Sequence, residues 1–445
     1  MKIKQFKDDP LAHYSYALVS QGEMAVVDPA RNPMQYYKYA EENNAKIVAV
    51  FETHPHADFV SGHLQIQEET GAKIYVSEKV GVNYPHTAFD EGQSLKIGSV
   101  TIKALHTPGH SPDSLTFIAE EEGETIMFSG DTLFIGNVGR PDLREKAGNM
   151  KAKRLELAKQ MYQTMQTKFN DLPDDTVVYP AHGAGSLCGK NMSDASSSTL
   201  GNERQGNWAF KDQSEEEFVE EILKDQPFIP AYFGFNVDLN RNGALNVQKA
   251  KYAVPVQLCV AEVKEGVTIV DARAEKLYKK GHLPNSINIM ARSNSDKYET
   301  WLGAIIEPNE DFYLVVESVD VIDELLERTA KIGYEKQLKG IITLSEEVSK
   351  SSADFNLEDF KTQQETYTIV DIRNAGEIAE GKIFDTAKTI PLNELRERAG
   401  EVPADKPIVV HCAGGYRSAA GSSILENKFK DTKVYDMSDG IKQFS

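Results

Sequence analysis

The sequence predicts an α/β chain of more than one domain, and three observations carry that expectation. Its 445 residues exceed what one ordinary core accommodates, which favours two to four domains. Apolar, β-rich runs alternate with helical stretches instead of segregating into separate blocks. A motif in the second half, Val267 to Arg273 (VTIVDAR), returns at an offset of 100 residues as Tyr367 to Arg373 (YTIVDIR).

Composition narrows the function classes. With 40% hydrophobic and 26% charged residues the chain is globular in type. A net charge of −19, from 49 basic and 68 acidic residues, argues against nucleic acid as a partner, because neutralising phosphates needs a basic surface. The opening MKIKQFKDDP lacks the apolar stretch of a signal peptide, and no run approaches the roughly 20 apolar residues of a membrane span. A cytoplasmic location without membrane association is the expectation. Three cysteines, Cys188, Cys259 and Cys412, are too few and scattered for a disulfide framework.

Taken in order, Ile47 to Phe51, Val100 to Leu105, Thr125 to Ser129 and Thr176 to Tyr179 read as strands. Residues 151 to 169 read as an amphipathic helix, with Leu157, Met161, Met165 and Phe169 at fourfold spacing. The acidic run Glu215-Glu216-Glu217 reads as a solvated helix face, and Ser193 to Asn207 as a polar loop whose serines can cap a following helix. Residues 226 to 251, rich in Pro, Asn and Gly, read as a connection between domains. The repeat follows: Gly281 is matched by Gly381, and each copy carries a further strand, Phe312 to Val316 and Pro407 to His411. Two small α/β modules with largely parallel sheets are expected. The domain division is therefore 1–250, 251–350 and 355–445.

The chemistry-bearing residues sit just past strands. Thr53-His54-Pro55-His56-Ala57-Asp58-Phe59 follows the first strand, and His110 the second. Asp131 follows the third and His182 the fourth. Imidazole and carboxylate groups converging at one sheet edge are the ligands that iron, zinc or manganese require.

This order of motifs resembles the metallo-β-lactamase superfamily over about the first 240 residues. The resemblance implies an αβ/βα sandwich with metal in a cleft at the strand ends. Binuclear members, glyoxalase II thioesterases among them, carry His directly after the Asp of H-x-H-x-D; here Phe59 stands there and a full second metal site loses a ligand. The persulfide dioxygenases of the superfamily use positions matching His54, His110 and Asp131, so the resemblance implies one Fe(II) per domain on those three, with O₂ as co-substrate. His56, Asp58 and His182 then orient ligands or bound water. Arg140, in a Gly-Arg-x-Asp stretch like that lining the substrate mouth of these dioxygenases, is a candidate clamp for the thiol carrier, with a salt bridge to Asp142 as the alternative. Cys188, six residues past His182, is a candidate persulfide acceptor that Lys190 would favour as thiolate; a small buried residue in a Gly-rich loop is its other reading. His13, His63, His86 and His106 read as surface or packing residues.

In the last module Cys412 ends the apolar strand, enters the loop Ala413-Gly414-Gly415-Tyr416 and meets Arg417 before a helical stretch from Ser418 to Leu425. Backbone N–H groups at a helix N-terminus stabilise thiolate and bound anions there, and Arg417 adds positive charge. This C-x-x-x-x-R loop resembles the rhodanese active site, over about 355 to 445. That family carries sulfane sulfur as a cysteine persulfide, which makes Cys412 and Arg417 the implied catalytic pair. The middle copy has Asp271-Ala272-Arg273 and Gly281-His282-Leu283-Pro284 but reads Val316-Glu317-Ser318-Val319 where the cysteine belongs, so it is expected to be an inactive rhodanese-like spacer or docking surface. Cys259 reads as a core residue.

The whole order resembles bacterial fusions of persulfide dioxygenase with rhodanese repeats of sulfide-detoxification operons. The resemblance implies oxidation of a low-molecular-weight thiol persulfide to sulfite, then thiosulfate formation through Cys412. The competing expectation is a zinc thioesterase of the glyoxalase II kind carrying rhodanese modules. Superfamily members commonly form dimers or tetramers, so a homo-oligomer is also implied.

Overall fold

The structure, a computed structural model, describes residues 1–145, 153–256, 260–344 and 350–444. Cys259 and the first two residues of the expected 151–169 helix lie outside them. The chain divides into two compact units, Met1–Ala250 with Ala330–Gly333, and Lys251–Thr329 with Tyr334–Ser445.

In the first unit a six-stranded sheet runs in chain order through Lys2–Asp8, His13–Ser20, Glu23–Val27, Lys46–Phe51, Lys73–Val76 and Thr87–Ala88. A second sheet runs Ser198–Thr199, Val177–Pro180, Glu124–Gly130, Leu115–Glu121, Val100–His106 and Ser94–Ile97. Both faces of the inner strands are buried, and the period of two assigns each residue its layer. Ala25, Val27, Ala49 and Phe51 meet Leu115, Phe117, Ile126 and Phe128 between the sheets. The alternate residues Met24, Val26, Ile47 and Val50 pack outward on Tyr36, Tyr39 and Ile66 from the helices Met34–Glu42 and His63–Thr70. On the other side Ile118, Met127 and Val178 pack on Ala158, Met161 and Met165 of the helix Arg154–Thr167. The result is the αβ/βα sandwich.

Two stretches differ from their sequence reading, while the acidic run keeps its reading as an exposed helix face. Ser193 to Asn207 is not all loop: Thr199 caps a helix Leu200–Gly206, accepting the Asn202 N–H. The acidic run opens the helix Glu215–Leu223, where Ser214 and Glu217 form a capping box and the carboxylates complement the helix dipole. The stretch 226–251 is no simple connection. It holds the helices Tyr232–Asn242 and Val247–Tyr252, because Tyr232, Phe233, Asn236, Val237 and Asn240 fall on one buried face despite the Gly and Asn content.

The second unit holds two four-stranded, all-parallel sheets. One runs Ser286–Asn288, Thr268–Asp271, Phe312–Val316, Leu338–Thr343; the other runs Lys388–Thr389, Thr368–Asp371, Ile408–His411, Val434–Asp436. The repeated motif has a structural basis. Arg273 donates to Asp271 and to the Gly281 carbonyl at 2.8 Å, and Arg373 does the same with Asp371 and Gly381, also at 2.8 Å. The repeat thus encodes a clasp between the first strand and the end of the helix after it.

No helix among the described residues is long and apolar enough to cross a membrane.

Candidate metal centre and cysteine loop

Four loops leave the strand ends of the first unit together. His54, His110 and Asp131 form a buried group whose ligating atoms approach within 4.8 Å of one another. Asp131 Oδ2 lies 3.7 Å from His54 Nε2 and 3.5 Å from His110 Nε2. Ligands about 2.0–2.2 Å from one ion are separated by roughly 3–4 Å, so the spacing suits a single cation.

The tautomers are fixed from behind. Thr53 Oγ1 donates to Asp28 Oδ2 at 2.9 Å, so it accepts from His54 Nδ1 at 3.0 Å. His110 Nδ1 donates to the Arg140 carbonyl at 2.9 Å. Both Nε2 lone pairs therefore face Asp131. His54 Nε2 and Asp131 Oδ2 are buried with no hydrogen-bond partner, as expected of atoms that await a cation. Burial lowers both His54 and His110 below the usual imidazole range, which keeps them in the neutral, ligating form. Burial alone would raise Asp131, but the surrounding imidazoles, His182 first, hold it well below the usual carboxylate range.

Two glycines permit this approach. Gly130 has φ +55°, and a Cβ there would collide with the Thr53 side chain. A Cβ on Gly139 would collide with the Asp131 carbonyl and the His110 ring.

His56, Asp58 and His182 surround this group. His56 Nε2 lies 3.3 Å from Asp28 Oδ1, and His182 Nδ1 lies 2.7 Å from Asp131 Oδ1. His182 Nε2 lies 2.9 Å from Asp58 Oδ2. Burial opposes charge on His182, yet Asp131 and Asp58 hold its ring well above the usual range. Phe59 fills its position with an aromatic ring, 4.4 Å from His56 and 3.9 Å from His13.

Cys188 belongs to the same cluster, grouped with Asp58 and His182. Burial pushes its thiol well up, with the charges of Asp58 and Asp131 adding to it. Lys190 does not serve it: its ammonium donates to the Glu221 and Lys224 carbonyls. The Arg140 guanidinium is buried and committed to Asp142 at 2.6 and 2.7 Å and to the Leu187 carbonyl. That is the salt bridge given as the alternative reading of Arg140.

Of the histidines read as surface or packing residues, His13 and His63 take the packing alternative and are buried at the centre's border, His63 beside Glu52 at 3.3 Å. Sequence reasoning missed several residues here. Asn240 anchors the H-x-H-x-D loop: its amide donates to the His56 and Phe59 carbonyls and accepts from Ser61 N–H. Only reading 232–242 as a helix would have exposed it.

In the second unit Cys412 is buried at the end of its strand, and Gly415 N–H donates to its sulfur at 3.1 Å. Gly415 has φ +91° and turns the chain into the helix Tyr416–Lys428. Arg417 is held by Glu377 through hydrogen bonds of 2.6 and 2.7 Å. Burial alone would raise Glu377, but the Arg417 guanidinium holds it below the ordinary carboxylate range. The middle copy reaches this loop: Tyr416 Oη donates to the Met290 carbonyl, and the Arg417 guanidinium lies 6.0 Å from the Trp301 ring centre. At the middle copy's own strand end a short 3₁₀ turn, Val319–Val321, replaces the cysteine loop.

The model of the metallo-β-lactamase superfamily matches residues 8–182, and that of the rhodanese-like domain matches residues 259–339 and 356–445. The protein therefore has a metallo-β-lactamase domain followed by rhodanese-like domains. A solved metallo-β-lactamase from Staphylococcus aureus subsp. aureus COL is similar at 29% identity and a TM-score of 0.68, over 77% of this chain and 99% of that one. A protein of Schizosaccharomyces pombe named "Probable hydroxyacylglutathione hydrolase" is 32% identical over 38% of this chain and 63% of its own. The cytoplasmic hydroxyacylglutathione hydrolase of Arabidopsis thaliana is 34% identical over the same shares, 38% and 63%. The chain thus spans less than two thirds of the length of these two relatives.

Proposed function

We propose that this chain oxidises a low-molecular-weight thiol persulfide to sulfite with O₂ at one Fe(II), and then forms thiosulfate through Cys412. The observation that carries the reading is the two-histidine, one-carboxylate group His54, His110 and Asp131, with Phe59 in place of a further histidine. Fe(II) on such a set keeps open positions for O₂ and substrate, and the oxygen chemistry belongs to the metal. The chain's own residues prepare the set. Thr53 and the Arg140 carbonyl orient the two imidazoles, and His182 holds Asp131. The overall change is RSSH + O₂ + H₂O → RSH + SO₃²⁻ + 2H⁺.

In the second step sulfite attacks the outer sulfur of a Cys412 persulfide: Cys–S–S⁻ + SO₃²⁻ → Cys–S⁻ + S₂O₃²⁻. The Gly415 N–H supports the returning thiolate, and Arg417 offers charge to the arriving anion.

Oxygen uptake by iron-loaded protein on adding a thiol persulfide tests the reading. Rapid uptake that vanishes in His54→Ala supports it; no uptake with iron bound and several carriers tried overturns it. The names of the S. pombe and A. thaliana relatives favour a second reading, a zinc-dependent thioesterase that carries sulfur-transfer modules. Zinc at full occupancy after growth in iron-replete medium, with thioester hydrolysis, would establish that one.

A further inference from the structure

The middle copy has no cysteine of its own at this strand end, yet one of its lysines reaches the backing of the Cys412 loop. Gly415, whose N–H donates to the Cys412 sulfur at 3.1 Å, lies backbone to backbone against Ser438. A Cβ on Gly415 would stand 2.7 Å from the Ser438 carbonyl carbon and 2.8 Å from the Asp439 nitrogen, so the place of one peptide fixes the other. Ser438 is itself held in a left-handed conformation, φ +48°, that a residue with a side chain rarely adopts. Asp436 holds it there: Oδ1 accepts the Ser438 N–H at 2.8 Å, and Oδ2 accepts its hydroxyl at 2.6 Å. Lys279, on the helix Glu275–Lys280 of the middle copy, meets both residues. Its Nζ lies 2.8 Å from Asp436 Oδ2 and donates to Ser438 Oγ at 2.7 Å. Asp436 is buried, so removing the ammonium would leave its carboxylate without a compensating charge.

We infer that Lys279 is a positioning residue for sulfur transfer at Cys412: through Asp436 and Ser438 it sets the Gly415 N–H against the sulfur. The role rests on the Cys412 step proposed above, in which the cysteine sulfur leaves as a thiolate. Negative charge grows on that sulfur as the S–S bond breaks, and the Gly415 N–H stabilises it most at that moment. A displaced N–H therefore slows bond breaking and leaves sulfite binding alone. Arg417, which meets the arriving anion, is held separately by Glu377. The two supports thus divide the work, Lys279 acting on the leaving sulfur and Glu377 on the incoming one.

The test uses the full chain with Lys279→Met, and Lys280→Met as a control that removes the same charge from an exposed position on the same helix. Two quantities are measured: the rate at which iodoacetamide alkylates Cys412 at neutral pH, followed by peptide mass spectrometry, and thiosulfate formation with sulfite varied. Lys279→Met should slow alkylation about tenfold, as expected when a hydrogen bond to a charged sulfur is weakened. The kcat for thiosulfate should fall by a similar factor while KM for sulfite stays unchanged. Lys279→Arg should restore both, and Ser438→Ala, which cuts the same link from the other side, should reproduce the loss. Alkylation at the unsubstituted rate in either Lys279→Met or Ser438→Ala overturns the proposal, and so does an equal loss in Lys280→Met. A raised KM with kcat intact also overturns it. If the unsubstituted protein forms no thiosulfate, the proposed Cys412 reaction fails instead, and the alkylation rates still decide whether Lys279 positions the loop.

Discussion

Asn240 Nδ2 lies 2.8 Å from the carbonyl oxygen of His56, and one amide group thereby fastens the loop that carries both histidines of the H-x-H-x-D motif. The same nitrogen reaches the Phe59 carbonyl at 2.8 Å, and Oδ1 accepts the Ser61 N–H at 2.7 Å. Three backbone groups of a buried, irregular segment would otherwise lack partners.

Asn240→Ala should therefore cost about 1–3 kcal/mol of stability, because it orphans buried polar groups rather than merely deleting a contact. Metal affinity should fall as well, since the loop positions His54. Thermal unfolding with and without metal checks both. An unchanged transition would show that the amide does not hold the loop.

Why the sequence conceals Asn240 is instructive. Four strand ends, each followed by a His or Asp, were legible because strand periodicity and ligand type are local signals. Residues 232–242 carry Gly234, Asn236 and Asn240, whose weak helix propensity hides a buried face that only tertiary packing completes. Asp28 and Glu377 escaped notice for a different reason: each acts through a partner distant in sequence, Thr53 or Arg417, and no spacing rule links them. The rhodanese-like repeat was legible as a shared fold with one inactive copy, but the hydrogen bonds behind its recurring residues were not. Its Asp-x-Arg and Gly residues form a structural clasp, so their recurrence marks a shared fold and not a shared chemistry. Arg140 is a local case by contrast, since its partner Asp142 stands only two residues away and the salt bridge was legible as one of its two readings.

Thr53→Val removes the hydroxyl that relays Asp28 to His54 Nδ1 while keeping the side-chain volume. The ring then loses its tautomer-fixing partner, and metal affinity should drop about 10–100-fold with the fold intact. Competitive metal titration against a chromophoric chelator measures this. Equal affinity would show that ring orientation is set by packing alone.

Cys412→Ser should divide the proposed reaction. Oxygen uptake should continue at the unsubstituted rate while sulfite accumulates and thiosulfate is missing from the products. Chromatography of the sulfur anions reads the outcome directly. Thiosulfate at the unsubstituted rate would remove Cys412 from the route, and lost oxygen uptake would show that the two sites are not separable.

Glu377 sets the state of Arg417, and pH should reveal it. Its folded carboxyl is held below the ordinary value of 4.5, so the clasp stabilises the protein fully above that value. The contribution fades as pH falls through the lower folded value, and it cannot return on further acidification. Glu377→Gln should lose about 1 kcal/mol at neutral pH, the lower end for charge-assisted bonds because the carboxylate is partly exposed to screening solvent. Between neutrality and pH 3 the unsubstituted protein should then lose more stability than the variant, narrowing the gap between them. In sulfur transfer the variant leaves Arg417 less well fixed beside Cys412, so KM for sulfite should rise severalfold while oxygen uptake stays constant. Parallel acid-unfolding curves of the two proteins, together with an unchanged KM, would show that Arg417 is positioned by its helix and not by Glu377.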